Sequence, residues 1–222
     1  MTSGLFIVFE GFDFSGTTTQ QEMLTSWLRS RDKYNEVFQG HEPTKNAKEI
    51  IRLLKEGANP REVDNFLMAE GYINDRIQHT RRLIIPALKS GAHVIEDRYR
   101  MSTDAYQWTQ GIPLNQLLEM QKNENIIKPD LTILLDIDVK TFLKRAKRDK
   151  KRSALELFEK DPKFVEECID NYRTLVESEY KLFPKEYGEV VVIDGRPKPK
   201  KVHADIIDAV DPIYDLWCDY NN

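Results

Sequence analysis

The chain has little cysteine, with only Cys168 and Cys218 among its 222 residues. Neither stands in a CxxC pair. That excludes a zinc ribbon or redox motif and points to a reducing, cytoplasmic setting. Histidine is scarce too. His41, His79, His93 and His203 are scattered without ligand spacing, so no histidine metal centre is expected. No window approaches 18 consecutive uncharged apolar residues, which excludes a membrane-spanning helix. The opening Met1-Thr2-Ser3-Gly4 lacks the charged start and apolar stretch of a secretory leader. No sign of charge dominates: 33 Lys and Arg face 37 Asp and Glu, a formal charge of −4. Nucleic acid and membrane are therefore not the expected partners.

What is present is a soluble-protein composition, 40% apolar and 32% charged. The length suits one domain over 1–222 with its own core. Leu5 to Phe9 is a short β-branched and aromatic run before a glycine turn, the pattern of a buried parallel strand. Thr18 to Leu28 carries apolar residues at helical spacing. Further strands are expected at Glu36–Phe38, Ala92–Ile95, Leu131–Ile137 and Glu189–Ile193. Helices are expected at Ala47–Leu54 and roughly 163–180. Asn59-Pro60-Arg61-Glu62 has a capping residue, a first-turn proline and a reciprocal glutamate, which predicts a helix starting there and running toward Leu83. Strands alternating with helices predict an α/β fold with a mostly parallel sheet.

One motif carries chemistry by itself. Gly11-Phe12-Asp13-Phe14-Ser15-Gly16-Thr17-Thr18-Thr19 lies between a strand and a helix. It matches the phosphate-binding P-loop GxxxxGK[ST] except at position 17, where threonine replaces lysine. Backbone N–H groups of such a loop form an anion nest and need Gly11 and Gly16, not the lysine. Thr18 fills the position that would ligand Mg²⁺. Thr17 is too short to reach the β- and γ-phosphates and carries no charge. Losing one such donor commonly costs on the order of 10²–10³ in rate.

Other segments, in order along nearly the whole chain, make the sequence resemble the thymidylate kinases. They are Phe9-Glu10-Gly11-Phe12-Asp13, Glu42-Pro43-Thr44, Tyr72-Ile73-Asn74-Asp75-Arg76, Asp97-Arg98-Tyr99 with Ser102 and Ala105-Tyr106-Gln107, and Pro129-Asp130-Leu131 leading to Leu135-Asp136. The resemblance implies a P-loop kinase fold of about five parallel strands with helices on both faces. It implies transfer of the γ-phosphoryl group of ATP to dTMP, with Mg²⁺, in a homodimer.

The residue types suit this chemistry. Tyr72 and Arg76 are spaced i, i+4 and share a helix face. A ring and a guanidinium side by side can stack on a base and donate to its carbonyl edge. Arg98, just past a parallel strand, suits a monophosphate, and Asp97 is a candidate metal residue. By resemblance, Tyr106 lies beneath the sugar, Ser102 and Gln107 are base-side or structural contacts, and Asp13 approaches the acceptor sugar and phosphate. Lys144, Arg145, Lys147, Arg148, Lys150, Lys151 and Arg152 crowd nine positions holding one acid, Asp149. The resemblance makes 144–160 a lid, with Arg148 and Arg152 as candidates for the catalytic cation and for part of the role vacated at position 17. Asn74 and His41 depart from the family pattern and bear on the base pocket and the acceptor. Two rival readings stay open here: a nucleotide-binding pseudokinase, and a kinase for another, possibly modified, pyrimidine deoxynucleotide.

Overall fold

A computed structural model describes residues 4–32, 35–56, 59–149, 156–177 and 184–221. Five strands, β1 (Phe6–Glu10), β2 (Val37–His41), β3 (His93–Asp97), β4 (Leu131–Asp136) and β5 (Glu189–Asp194), form an all-parallel sheet in the order β2-β3-β1-β4-β5. All five residues of β1 and of β3 are buried, as strands covered on both faces must be. The alternation of side chains along β1 divides the core. Ile7 and Phe9 face a layer that includes Leu24, Leu28, Val202, Ile206 and Val210, supplied by α1 (Thr17–Arg31) and α10 (Pro199–Asn221). Phe6 and Val8 face Ile73, Ile84 and Leu88 on the other side. Leu24 and Leu28 are fully buried, each contributing roughly 1.5–3 kcal/mol. This is the P-loop kinase architecture expected from the sequence.

The remaining helices are α2 (Lys48–Glu56), α3 (Asn65–His79), α4 (Ile85–Lys89), α5 (Arg100–Thr109), α6 (Leu114–Met120), α7 (Val139–Ala146), α8 (Pro162–Val176) and α9 (Pro184–Tyr187). Cys168 is buried within α8, packed in the core. Among the described residues, no helix is long and apolar enough to cross a membrane.

One predicted boundary is corrected. The helix does not begin at Asn59. Asn59 closes a turn instead, its Oδ1 accepting from the Arg61 N–H at 3.0 Å. Helix α3 starts at Asn65, where the Asp64 side chain accepts from the Leu67 N–H at 3.0 Å. Five π-helical residues, Thr80–Ile84, then connect α3 to α4.

Parallel order gathers the chain leaving β1, β2, β3 and β4 at one edge of the sheet. The succession of strands reverses beside β1, and that switch point opens the crevice used by ligands in such sheets.

Candidate active site

The turn after β1 is shaped by backbone conformations that few side chains tolerate. Gly11 has φ 149° and Gly16 has φ 107°. A Cβ on Gly11 would stand 2.7 Å from Ser15 Oγ and 2.8 Å from the Leu135 carbonyl oxygen. Phe14 also takes positive φ, 63°, and its ring is held edge-on against Phe142. Gly16 precedes α1 and accepts from the Gln20 N–H at 3.0 Å. Behind the loop, Arg145 of α7 is engaged with main chain. Its Nη1 donates to the Phe14 and Ser15 carbonyls at 2.8 and 2.9 Å, and its Nη2 to the Gly195 carbonyl at 2.6 Å.

Two cavities meet at this edge. One, of about 660 Å³, is lined by Asp13 through Thr19. Gly11 and Phe12, grouped with the loop contacts in the sequence, do not line it. Phe12 is buried, stacked on Tyr106 with ring centroids 5.3 Å apart. The second cavity, of about 410 Å³, is lined by all seven residues expected on the acceptor side: Asp13, Tyr72, Arg76, Arg98, Ser102, Tyr106 and Gln107. Three side chains line both cavities: Asp13, His41 and Arg98.

Arg98 sits at the junction with φ 69°, a sparsely populated conformation for a non-glycine residue. Its N–H donates to the Phe9 carbonyl at 2.8 Å, fixing the turn. Its guanidinium donates to Asp13 Oδ1 at 2.7 Å and to Ser102 Oγ at 3.3 Å, and lies over the Tyr106 ring. Tyr106 Oη donates to Asp13 Oδ2 at 3.0 Å. Glu10, buried beneath, accepts from the Tyr99 and Ser102 N–H groups and from Ser102 Oγ. Burial pushes its carboxyl up, and the Ser102 bonds and Arg98 offset only part of that.

Arg76 is 1% exposed. Its Nε and Nη2 grip Glu42 at 2.9 and 2.6 Å, and Nη2 also reaches the Tyr99 carbonyl. Nη1 donates to Gln121 Oε1 at 2.5 Å. Gln121 Nε2 donates to Asp104 Oδ1, and Tyr187 Oη to Asp104 Oδ2. Burial raises the Asp104 carboxyl to about 7, although the Tyr187 bond, Arg100 and Arg76 pull it back. The Gln107 Oε1 is buried and lacks a partner among the described residues, in a side chain that lines the second cavity.

At the loop side, Thr18 Oγ1 donates to Asp97 Oδ2 at 2.6 Å. Asp97 Oδ1 is buried without a partner among the described residues. Burial would push this carboxyl up, but His41, Arg98 and Thr18 overcome that and hold it below the usual range. A hydroxyl beside a largely buried, ionised carboxylate with a spare oxygen fits a hard divalent cation such as Mg²⁺.

Several sequence expectations land elsewhere. Asn74 is exposed and lines neither cavity, so it does not shape a base pocket. Arg148 is exposed in the turn after α7 and lines neither cavity. Arg152, Lys150 and Lys151 lie outside the described residues. Arg145 belongs to the loop rather than to a lid. Glu10 and Glu42 stand in the sequence only as members of motifs, without a role of their own, and Asp104 and Gln121 stand in none. A signal existed for Glu42 in its adjacency to Pro43 after a strand; none existed for Asp104 or Gln121.

The thymidylate kinase family profile matches residues 9–206. A probable thymidylate kinase of Pyrococcus horikoshii is 36% identical over 93% of this chain and 96% of its own. A thymidylate kinase of Wolbachia pipientis is 36% identical over 93% and 95%. A probable thymidylate kinase of Methanococcus maripaludis is 37% identical over 95% and 98%. With the fold, the glycine loop and these matches in agreement, the chain belongs to the thymidylate kinase family.

Proposed function

We propose that the chain transfers the γ-phosphoryl group of ATP to thymidine monophosphate, giving the diphosphate, as a homodimer in the cytoplasm. The observation that carries this reading is the meeting of two cavities at Asp13, His41 and Arg98. One cavity is floored by a P-loop suited to ATP. The other holds a ring and a guanidinium suited to a pyrimidine.

Each group has a part. Tyr72 stacks on the base. Arg76, locked on Glu42, offers its remaining Nη1 N–H to a base carbonyl. Gln107 Oε1 accepts from a base N–H. Tyr106 closes beneath the sugar. Arg98 binds the acceptor phosphate, and Asp13 holds Arg98 in line. The loop from Phe14 to Thr19 cradles the donor phosphates. Thr18 and Asp97 would hold Mg²⁺, which would supply charge neutralisation to the donor phosphates. Arg148 and Arg152 stay candidates for a lid cation. No covalent intermediate is needed; positioning and electrostatics suffice.

The test is a coupled assay of diphosphate formation from ATP, Mg²⁺ and thymidine monophosphate, with Thr17→Lys run alongside. Turnover by the unaltered chain is expected, and Thr17→Lys should raise it. An inactive chain that Thr17→Lys restores would mean an intact acceptor site beside a disabled donor loop, and would favour nucleotide binding without transfer.

A further inference from the structure

We propose that His41 is a catalytic residue: its ring N–H donates to the phosphoryl group in transit and covers part of the role left open by Thr17. This rests on the kinase reading above.

A phosphoryl group crossing between nucleotides needs donors at the boundary of their two sites. Three residues line both cavities, and two of them are already committed to each other: Arg98 donates to Asp13 at 2.7 Å. The third is His41, the last residue of β2. The loop supplies no cation, since position 17 is threonine. Among the described residues, the basic side chains lining the loop cavity are His41, Arg98 and Arg145. Both terminal nitrogens of Arg145 are engaged by main-chain carbonyls. With Arg98 assigned to the acceptor phosphate, His41 is the further basic group at the junction, and its charged neighbour, Asp97, lies 3.6 Å away.

Its setting fits the task. The side chain is 58% exposed, and its Nδ1 lies 3.6 Å from Asp97 Oδ2, beyond hydrogen-bond distance. The ring can therefore turn to a ligand without breaking a bond. Its backbone is less free. β2 pairs with β3 through the register His41↔Asp97, and the next residue's N–H donates to the Asp97 carbonyl at 3.0 Å. A donor carried on the end of a paired strand keeps its position better than one on a loop.

A role confined to Asp97 is the competing account. There His41 would only tune the carboxylate and, through it, the demand for Mg²⁺. The two accounts separate in a double-mutant cycle with position 17. His41→Ala, His41→Gln, Thr17→Lys and Thr17→Lys/His41→Ala are assayed across a Mg²⁺ titration from limiting to saturating. Affinity for the complex of ADP, aluminium fluoride and thymidine monophosphate, which mimics the transferring group, is measured beside affinity for each nucleotide alone.

The expected result is a loss of kcat on the order of a hundredfold in His41→Ala, with KM for both nucleotides within about twofold. His41→Gln, which keeps an N–H donor, should recover much of it. The aluminium fluoride complex should weaken in parallel while each nucleotide alone binds unchanged. In the Thr17→Lys background His41→Ala should cost less than about fivefold, because the lysine supplies the missing charge. Equal losses in both backgrounds would overturn the inference, as would a loss of rate that extra Mg²⁺ restores. An unaltered chain that binds both nucleotides but transfers nothing would overturn it as well. A chain that binds neither nucleotide would instead overturn the kinase reading, and the inference with it.

Discussion

At the scale of single residues, the acceptor cavity rests on buried charge. Arg76 is enclosed by Glu42, Gln121 and the Tyr99 carbonyl. Removing one member of such a buried pair leaves the other without compensation, which typically costs about 3–5 kcal/mol. Asp104 gives this network a pH signature. Its carboxyl is raised to about 7 by burial, above the ordinary value it takes in the unfolded chain. The native chain therefore holds a proton that unfolding releases, and stability falls as pH rises from about 4 to about 7. Asp104→Asn has no proton to release. Its amide can accept from Gln121 and donate to the Tyr187 hydroxyl, so the fold should survive. Denaturation at pH 5 and at pH 8 should show the stability difference moving in the variant's favour at the higher pH. An unchanged difference would mean that Asp104 stays ionised throughout.

At the scale of elements, burial decided what could be read. β1 and β4 are short, mostly apolar runs buried in the sheet, so their composition announces them. Tyr72 and Arg76 were legible together because helical spacing is a local rule. Gln121 and Asp104 were not, because each meets its partners only through the folded chain, across α3, α5, α6 and α9. The start of α3 shows how a local rule can mislead. Asn59-Pro60-Arg61-Glu62 has every mark of a helix start, yet Asp64 is the residue that caps. Two good caps lay five residues apart, and tertiary packing chose the second. Asp64→Ala should then cost about 1 kcal/mol in urea denaturation, whereas Asn59→Ala should cost less. Equal costs would return the helix start to Asn59.

At the scale of the whole molecule, the two cavities draw on largely different elements and share Asp13, His41 and Arg98. The acceptor cavity draws on α3 and α5, and the loop cavity on α1, α7 and the turn after β5. Position 17 belongs to the second set alone. Thymidine monophosphate at about a hundred times its dissociation constant should stabilise the chain by roughly 2.7 kcal/mol. For a protein of this size that raises Tm by roughly 5–10 °C. The shift should be the same in Thr17→Lys, while the shift with ATP and Mg²⁺ should grow. A thymidine monophosphate shift that changes with position 17 would mean that the two sites are coupled before any chemistry.

The grip of Arg145 on the loop has one more consequence. In a trans peptide the carbonyl and the following N–H point in opposite directions. Arg145 draws the Ser15 carbonyl toward itself, so the Gly16 amide hydrogen is aimed away from the guanidinium. A side chain 130 residues along the chain from Ser15 would be an odd place to look for a phosphate contact, and Arg145 need not touch one. By orienting a peptide dipole ahead of time, it lets an anion meet a backbone that has nothing left to rearrange.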